Sequence, residues 1–310
     1  MLTLTGCKIP IPHLKGLQHI STQCKGIRAK PGFFIIREVL ISIFCTFNLQ
    51  FFVMEQKSIY KKYHLQPGAI DLIECNTFVL GVKREKEGWY IKVFEDSPNV
   101  NAINTDEIMD GEYFHSGKSN SLILTPALQY KPLVFKGSKM VIAPYQRLTF
   151  FVRIPLILQL YFAKVQEENL LKKIPSQRLS DTWFGEPDYG VAAFALGNEY
   201  QLNFSDVETT DMDAICPISI FNNWEQPMEV HRLIIKTDNM SLFKNDNKIV
   251  GSLVRLEYKG RDTISSASYG SSKLYHGENP EILAKARSND TKSLLKANFH
   301  FIRNIYNRAE

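Results

Sequence analysis

Short apolar runs with a repeat of two residues limit most strongly what this chain of 310 residues can fold into. Every second residue from Leu148 to Val152 is large and apolar, and the same holds from Leu158 to Phe162. A repeat of two places alternate side chains on one face of a strand, so one face of an antiparallel sheet is buried. Similar runs, separated by turn-forming residues, occur along most of the chain, which is typical of a β-sandwich or barrel.

The apolar runs fall into two stretches, 54–165 and 178–310. We therefore predict a mostly β fold with two tandem antiparallel β-sandwich-like units. Residues 166–173, between the two stretches, are interpreted as a linker with a helical turn or two. Aromatic residues make up 12% of the chain, which suits strands better than helices.

The C-terminal segment changes to a helical period, which predicts short C-terminal helices. Asn279 and Pro280 form a helix start signal, so a helix is predicted over residues 281–287. A second helix is predicted further on, because four apolar residues share one helical face. These residues are Leu295, Phe299, Ile302 and Tyr306.

The first 53 residues differ from the rest in charge and hydropathy. Six of the 37 basic residues and one of the 32 acidic residues lie in this extension, so the remainder carries 31 of each. Residues 39–54 are free of charge but shorter than the roughly 20 residues that a transmembrane helix needs. Three interpretations stay open: a weak membrane anchor, a cleaved signal, or a segment outside the working protein, which would then begin at Met54.

The balanced charge of residues 54–310 gives no reason to expect a nucleic-acid partner. Only Cys75 and Cys216 lie in this part, each within an apolar run, so we predict reduced thiols and a cytoplasmic location. The sequence contains neither paired Cys or His residues at metal spacing nor a glycine-rich phosphate loop. We therefore predict no metal and no cofactor.

Residues 179–190 contain the highest density of residue types that carry chemistry. A glycosidase uses two carboxyl groups beside an aromatic platform for the sugar. The candidate catalytic residues are Asp181, Glu186 and Asp188, and the candidate ligand-binding residues are Trp183 and Tyr189.

The same stretch also has a purely structural interpretation that physical arguments support. Trp183 and Phe184 would fill the core, Gly185 and Gly190 would allow tight turns, and the acids would cap backbone N–H groups. Sugar binding without chemistry lies between the two interpretations.

Three local patterns give further predictions. The charged residues 83–88 predict a solvated hairpin turn. The acidic residues of segment 205–213 do not match the spacing of a calcium loop, so a solvated loop is predicted there. A shift in the apolar alternation predicts a β-bulge near His231 and Arg232.

Three motifs resemble an uncharacterised family of archaeal and bacterial proteins of unknown function. They are DTWFGEP at 181–187, CPISIFNN at 216–223 and MEVHRL at 228–233. The resemblance covers roughly residues 63–258 and implies a prokaryotic source, but it supplies no activity or catalytic residue.

The function predicted from these features is a non-enzymatic binding or protein-interaction module. One alternative is a carbohydrate-active enzyme or carbohydrate-binding protein that uses the carboxylates of residues 179–190. Another is a membrane-associated regulator, which requires residues 39–54 to be an anchor. Self-association through edge strands is a further hypothesis about partners.

Overall fold

Strands form most of the protein. A computed structural model describes residues 58–95, 99–185, 187–188, 190–260, 266–288 and 292–294. The first ten strands are β1 (Lys62–His64), β2 (Ile70–Glu74), β3 (Phe78–Arg84), β4 (Gly88–Glu95), β5 (Glu112–His115), β6 (Ser121–Ala127), β7 (Leu133–Ile142), β8 (Arg147–Pro155), β9 (Ile157–Phe162) and β10 (Leu170–Pro175).

The remaining described strands lie in the second half of the chain. They are β11 (Asp181–Phe184), β12 (Val191–Gly197), β13 (Asp213–Asn222), β14 (Met228–Ile235), β15 (Leu242–Asn245), β16 (Lys248–Gly251), β17 (Leu253–Tyr258), β18 (Ser266–Gly270), β19 (Glu281–Ala284) and β20 (Lys292–Leu294). Short 3-10 turns occupy Val100–Ala102, Thr105–Asp110, Glu167–Asn169, Phe204–Asp206 and Thr237–Asn239, and one α-helical turn, α1, occupies Lys273–His276.

Two antiparallel sheets of four strands enclose the first hydrophobic core. Their strand orders are β1-β6-β9-β10 and β2-β3-β4-β5. Leu80 and Trp89 of the second sheet cluster with Leu124 and Leu160 of the first, and each is at most 1% exposed. The two sheets therefore pack face to face as a sandwich.

A second sandwich contains the larger core. One sheet has the order β11-β12-β7-β14, and the other has the order β19-β15-β16-β13-β17-β18-β20, with β8 also paired to β13. Phe135 of the first sheet clusters with Phe150 and Cys216 of the second. Both sheets are mixed, because β12 runs parallel to β7 and β13 runs parallel to β16 and β17.

The prediction of a mostly β fold with sandwich-like packing is confirmed. The consecutive strands β7 and β8 cross the predicted division of the chain. Both lie before residue 165, but β7 pairs with β12 and β14, and β8 pairs with β13. The described strands all belong to one unit by their contacts, Ser58–Glu310. Independent folding of the ranges 54–165 and 178–310 stays a prediction.

The pairing of β8 with β13 confirms the period-two pattern. It runs without interruption from Asp213 opposite Pro155 to Phe221 opposite Arg147. Phe150 and Ile218 are both fully buried and face the core. The predicted β-bulge is confirmed as well, because the pairing of β14 with β7 shifts register between Val230 and Arg232.

Two local predictions are wrong because strand pairing outweighs the local signal. The predicted helix at 281–287 is replaced by β19, which pairs with β15. The predicted linker at 166–173 forms one 3-10 turn and then β10, which pairs with β9. The predicted second C-terminal helix lies outside the described residues.

The predicted hairpin turn between β3 and β4 is present, with Lys86 and Glu87 exposed, but its Arg84 is buried rather than solvated. Arg84 is 0% exposed and packs over the Trp89 ring, 5.3 Å from its centroid. Its guanidinium donates hydrogen bonds to the carbonyl oxygens of Gly88 (2.7 Å) and Gly117 (2.9 Å) and to Asn120 Oδ1 (3.1 Å). One side chain therefore ties the turn to the segment that leads into β6.

Asp211 is partly buried, so the predicted solvated loop is wrong at this residue. Its carboxylate accepts a hydrogen bond from the Ile59 N–H (3.3 Å), and its carbonyl accepts one from the Tyr60 hydroxyl (2.7 Å). Burial raises the pKa of the Asp211 carboxyl group, against the opposing effects of the Ile59 N–H and the charge of Lys244. Asp211 thus attaches the beginning of the described chain to the segment before β13.

We predict that Arg84→Lys lowers the free energy of unfolding by about 3 kcal/mol, because a lysine cannot satisfy the buried carbonyl groups that the guanidinium reaches. Urea denaturation measures this change. Arg178→Lys, at an exposed arginine, is the matched control and should change stability by less than about 0.5 kcal/mol. Equal stability of the two variants would contradict the role of Arg84.

We predict that Asp211→Asn is more stable than the wild type at pH 7. A carboxyl group with a raised folded-state pKa binds its proton more tightly when folded, so wild-type stability falls as pH rises from about 4 through that folded-state pKa. The advantage of the asparagine variant should therefore shrink toward pH 4. Urea denaturation at several pH values tests this, with Asp188→Asn, at an exposed aspartate, as the control. An advantage that does not change with pH would refute the effect.

Candidate functional site

Trp183 and Phe184 are adjacent residues of strand β11, and they lie in different environments. The strand pairs antiparallel with β12, with Trp183 opposite Ala192. Phe184 is 1% exposed and clusters with Val134 and Ala193. Trp183 is 46% exposed. Adjacent residues of a strand point to opposite faces, so this contrast follows from the period of two.

The structural interpretation of this stretch therefore applies to one residue of the pair. Phe184 is buried as that interpretation predicts, whereas Trp183 is not. Asp181, two residues before Trp183, lies on the same face of β11 and is also exposed. The structure thus brings one candidate carboxylate and one candidate aromatic residue together on an accessible face.

Three further residues complete this face, which we call the Trp183 surface: Tyr130, Lys131, Asp181, Trp183 and Phe194. The Lys131 ammonium forms an ion pair with Asp181 Oδ1 at 2.6 Å and lies 4.9 Å from the centroid of the Phe194 ring. Tyr130 is 66% exposed and packs edge-on against Phe194, with ring centroids 5.2 Å apart. Two exposed aromatic rings therefore flank an ion pair.

Electrostatics and backbone contacts hold the surface in place. The hydrogen bond with Asp181 raises the pKa of Lys131, which keeps the ammonium protonated. Arg232, whose pKa is lowered by burial, lies 5.5 Å from the Phe184 ring centroid and donates to the Trp183 carbonyl oxygen at 2.8 Å. The backbone of β11 is thus held by β12 on one side and by this guanidinium.

The turn after β11 explains one of the two glycines. Gly185 has φ of +109°, and a side chain there would place its Cβ 2.9 Å from Gly190 Cα. Only glycine accepts this conformation at no steric cost. Asp188 lies in the same turn and is exposed. Glu186 and Tyr189 lie outside the described residues, so their part in a site stays a prediction.

Asp181 has the surroundings of a surface carboxylate. A glycosidase acid is kept protonated by an apolar enclosure, whereas Asp181 is 74% exposed in its side chain and paired with a lysine. The exposed part of this carboxylate is accessible to solvent. The catalytic roles suggested for Asp181, Glu186 and Asp188 stay predictions.

The described part of the chain holds no group of three or more His, Cys, Asp or Glu residues arranged to bind a metal ion. No helix within these residues is long and apolar enough to cross a membrane. The suggested anchor at 39–54 lies outside them.

Tyr130 and Lys131 were not predicted from the sequence. They precede β7 in a short connection, about fifty positions before Asp181, and no local pattern links them to it. Only the parallel pairing of β12 with β7 brings the connection beside β11. The one signal in the sequence was the segment Tyr-Lys-Pro at 130–132, whose residue types favour a solvent-exposed turn, directly before an apolar strand.

The chain belongs to the family described as Protein of unknown function (DUF432), whose model matches residues 59–303. The resemblance to an uncharacterised family, predicted from the three motifs, is thereby confirmed. No curated protein and no solved structure matches the chain. The family description states no activity.

We predict that Trp183 dominates the quenching of tryptophan fluorescence by acrylamide. Of the three tryptophans, Trp89 is 0% exposed, Trp224 is partly buried and Trp183 is 46% exposed. Trp183→Phe should therefore lower the quenching constant, while Trp224→Phe should leave it equal or higher. An unchanged quenching constant for Trp183→Phe would contradict the exposure of this ring.

Proposed function

We propose that this protein is a non-enzymatic binding module whose ligand is held by the Trp183 surface. The observation that carries the proposal is the position of Trp183, which is 46% exposed on a strand fixed by pairing with β12 and by Arg232. An exposed tryptophan leaves a large apolar area in water, and binding recovers the free energy of that exposure.

The rigidity of the surface favours binding. A ligand that contacts flexible side chains must order them at a cost of about 0.5–1.5 kcal/mol for each immobilised residue. Trp183 and Tyr130 have few rotatable bonds, and the Lys131–Asp181 ion pair at 2.6 Å already fixes the polar groups between them. Much of the ordering therefore precedes binding, as in the aromatic centres of protein interfaces.

A carbohydrate is the second candidate ligand, favoured by the combination of residue types. The apolar face of a sugar ring stacks on exposed aromatic rings, and its hydroxyl groups exchange hydrogen bonds with charged side chains. Asp181 supplies acceptors and Lys131 supplies donors within this surface. The catalytic version of this candidate needs a second carboxyl group 5–9.5 Å away across a cleft, for which Glu186 and Asp188 are the candidates.

The location and partners follow from the same proposal. A binding module with reduced cysteines, Cys75 and Cys216, fits a cytoplasmic protein of a prokaryote. Its ligand is then a protein partner, a second copy of the chain or a soluble sugar. The alternative role as a membrane-associated regulator depends on residues 39–54.

We predict that Trp183→Ala weakens ligand binding about tenfold or more, because it removes the largest exposed ring. Two measurements on the full chain test this: binding to an array of neutral oligosaccharides, and self-association by sedimentation over a range of protein concentrations. Tyr145→Ala is the control, since Tyr145 is 61% exposed outside the Trp183 surface.

Each outcome has a defined meaning. Binding to a sugar or self-association that is lost in Trp183→Ala and kept in Tyr145→Ala supports the proposal. Binding that both variants retain refutes the proposal. The proposal is also refuted if the wild type shows neither activity and a photoreactive residue in place of Trp183 crosslinks to no protein in cells.

A further inference from the structure

The short connection before β7 carries two residues of the Trp183 surface, Tyr130 and Lys131. Leu128 and Gln129 are 6% and 4% exposed, whereas the next residue, Tyr130, is 66% exposed. Lys131 follows and forms the ion pair of that surface, 2.6 Å long. The position of this connection therefore decides whether the Tyr130 ring and the Lys131 ammonium meet the rest of the surface.

Arg287 holds the connection by its backbone. Its Nη1 donates a hydrogen bond to the carbonyl oxygen of Leu128 at 3.0 Å, and its Nη2 donates one to that of Gln129 at 2.6 Å. Arg287 lies 159 and 158 positions further along the chain than these residues. The planar guanidinium presents several donors in a fixed fork, so one side chain fixes two consecutive carbonyl groups directly before Tyr130.

Thr237 extends the same network to Lys131. Thr237 is 1% exposed, and its hydroxyl accepts a hydrogen bond from Arg287 Nη2 at 3.2 Å and donates one to the Lys131 carbonyl oxygen at 3.3 Å. Asp238 Oδ1 accepts a bond from Arg287 Nε at 2.7 Å, which orients the guanidinium. The backbone on both sides of Tyr130 is thus bonded to Arg287, directly or through one hydroxyl.

The segment 281–288 places Arg287 at this point. Its strand β19 is the edge strand that pairs with β15. Beyond β19, the Ala286 N–H donates to Ser241 Oγ at 3.0 Å, and the Ser288 N–H donates to the Asp238 carbonyl oxygen at 2.9 Å. The Arg287 side chain is 43% exposed, so its loss should loosen the connection locally rather than unfold the core.

The bonds to the carbonyl groups matter for binding because a displaced site loses affinity even when all its residues are present. The ion pair between Lys131 and Asp181 directs the ammonium, but an ion pair between exposed side chains contributes little free energy. The network of Arg287 and Thr237 therefore supplies most of the order that the connection has before a ligand arrives.

We propose that Arg287 is a positioning residue of the Trp183 surface, which holds Tyr130 and Lys131 in their binding positions through the carbonyl groups of Leu128 and Gln129. This inference rests on the proposed function of the Trp183 surface. Arg287 itself is not one of the residues that contact the ligand, and it acts through the backbone of the connection.

Chemical labelling of Lys131 in the full chain tests the positioning without a ligand. The hydrogen bond with Asp181 raises the pKa of Lys131 and keeps its ammonium protonated, so displacement from Asp181 makes the amine more reactive. Lys172 is the internal reference, because it forms an ion pair of the same length, 2.6 Å, with Glu112 in the first sandwich. Mass spectrometry after treatment with a limiting amount of acetic anhydride gives the ratio of acetylated Lys131 to acetylated Lys172.

Arg287→Lys keeps a positive charge beside Asp238 but lacks the planar fork that reaches both carbonyl groups. We expect it to raise the ratio about threefold, the range of one exposed ion pair. Thr237→Val removes the hydroxyl that bonds to the Lys131 carbonyl group and should raise the ratio as well. The double variant should raise it by less than the product of the single effects, because both substitutions disrupt one network. Arg255→Lys, at an exposed arginine elsewhere in the second sandwich, is the matched control and should leave the ratio unchanged.

Three labelling results overturn the inference. They are a ratio that Arg287→Lys leaves unchanged, an equal rise in Arg255→Lys, and a double variant whose effect equals the product of the effects of Arg287→Lys and Thr237→Val. A general loosening of the fold changes both lysines and leaves their ratio unchanged, so it is not mistaken for positioning.

The binding measurements separate this inference from the proposed function. In the assay in which Trp183→Ala loses binding, oligosaccharide array or sedimentation, Arg287→Lys should weaken binding about threefold, and Arg255→Lys should not. If the wild type fails every binding test but the labelling ratio rises, the proposed function is refuted and the positioning by Arg287 is supported. If Trp183→Ala loses binding and Arg287→Lys does not weaken it, the proposed function stands and the positioning role is wrong.

Discussion

The antiparallel pairing of β8 with β13 is the interaction on which the second sandwich depends. It runs from Asp213 opposite Pro155 to Phe221 opposite Arg147, and β13 continues the sheet on its other edge by pairing in parallel with β16 and β17. Phe150, Cys216 and Ile218 are fully buried where these strands meet the facing sheet. Both the mixed sheet and the small cluster of Phe151, Val207 and Ile215 are built around this ladder.

Buried polar groups set the geometry where the ladders end. Arg84 is 0% exposed, yet the bonds of its guanidinium go to carbonyl oxygens and an amide, so neutral dipoles compensate its charge. Asn222 has a similar role at the end of β13. Its side-chain amide donates to the carbonyl oxygens of Ile142, Ala143 and Gln226, which joins the β7–β8 turn to the turn before β14.

The sequence predicted the strands well wherever one face is buried. The alternations that begin at Leu148 and Leu158 mark β8 and β9, and the change of parity near His231 marks a real bulge. It failed at β19, where Asn279 and Pro280 signal a helix but the backbone pairs with the edge of β15. The choice of a partner strand is a long-range property, and a local signal of about 1 kcal/mol does not outweigh several new hydrogen bonds.

The dependence on long-range strand pairing also limited what the sequence could predict about the candidate site. The sequence singled out Trp183 and Asp181, because their residue types and density stand out locally. It did not decide that Trp183 is exposed while Phe184 is buried, since the neighbours that bury Phe184 come from distant strands: Val134 of β7 and Ile234 of β14. Lys131 was not predicted, because its ion pair with Asp181 exists only through the neighbouring strands β12 and β7.

The early position of β7 and β8 in the chain has a consequence for biosynthesis. These strands leave the ribosome some sixty to ninety residues before β13 and β14, their main partners. Pairings between such distant segments close slowly, since a long loop must be ordered first. During translation β7 and β8 are therefore without their partner strands, and residues up to 175 can complete only the first sandwich. The order of synthesis thus separates the formation of the two cores, and it makes β7 and β8 the segment for which chaperone protection matters most.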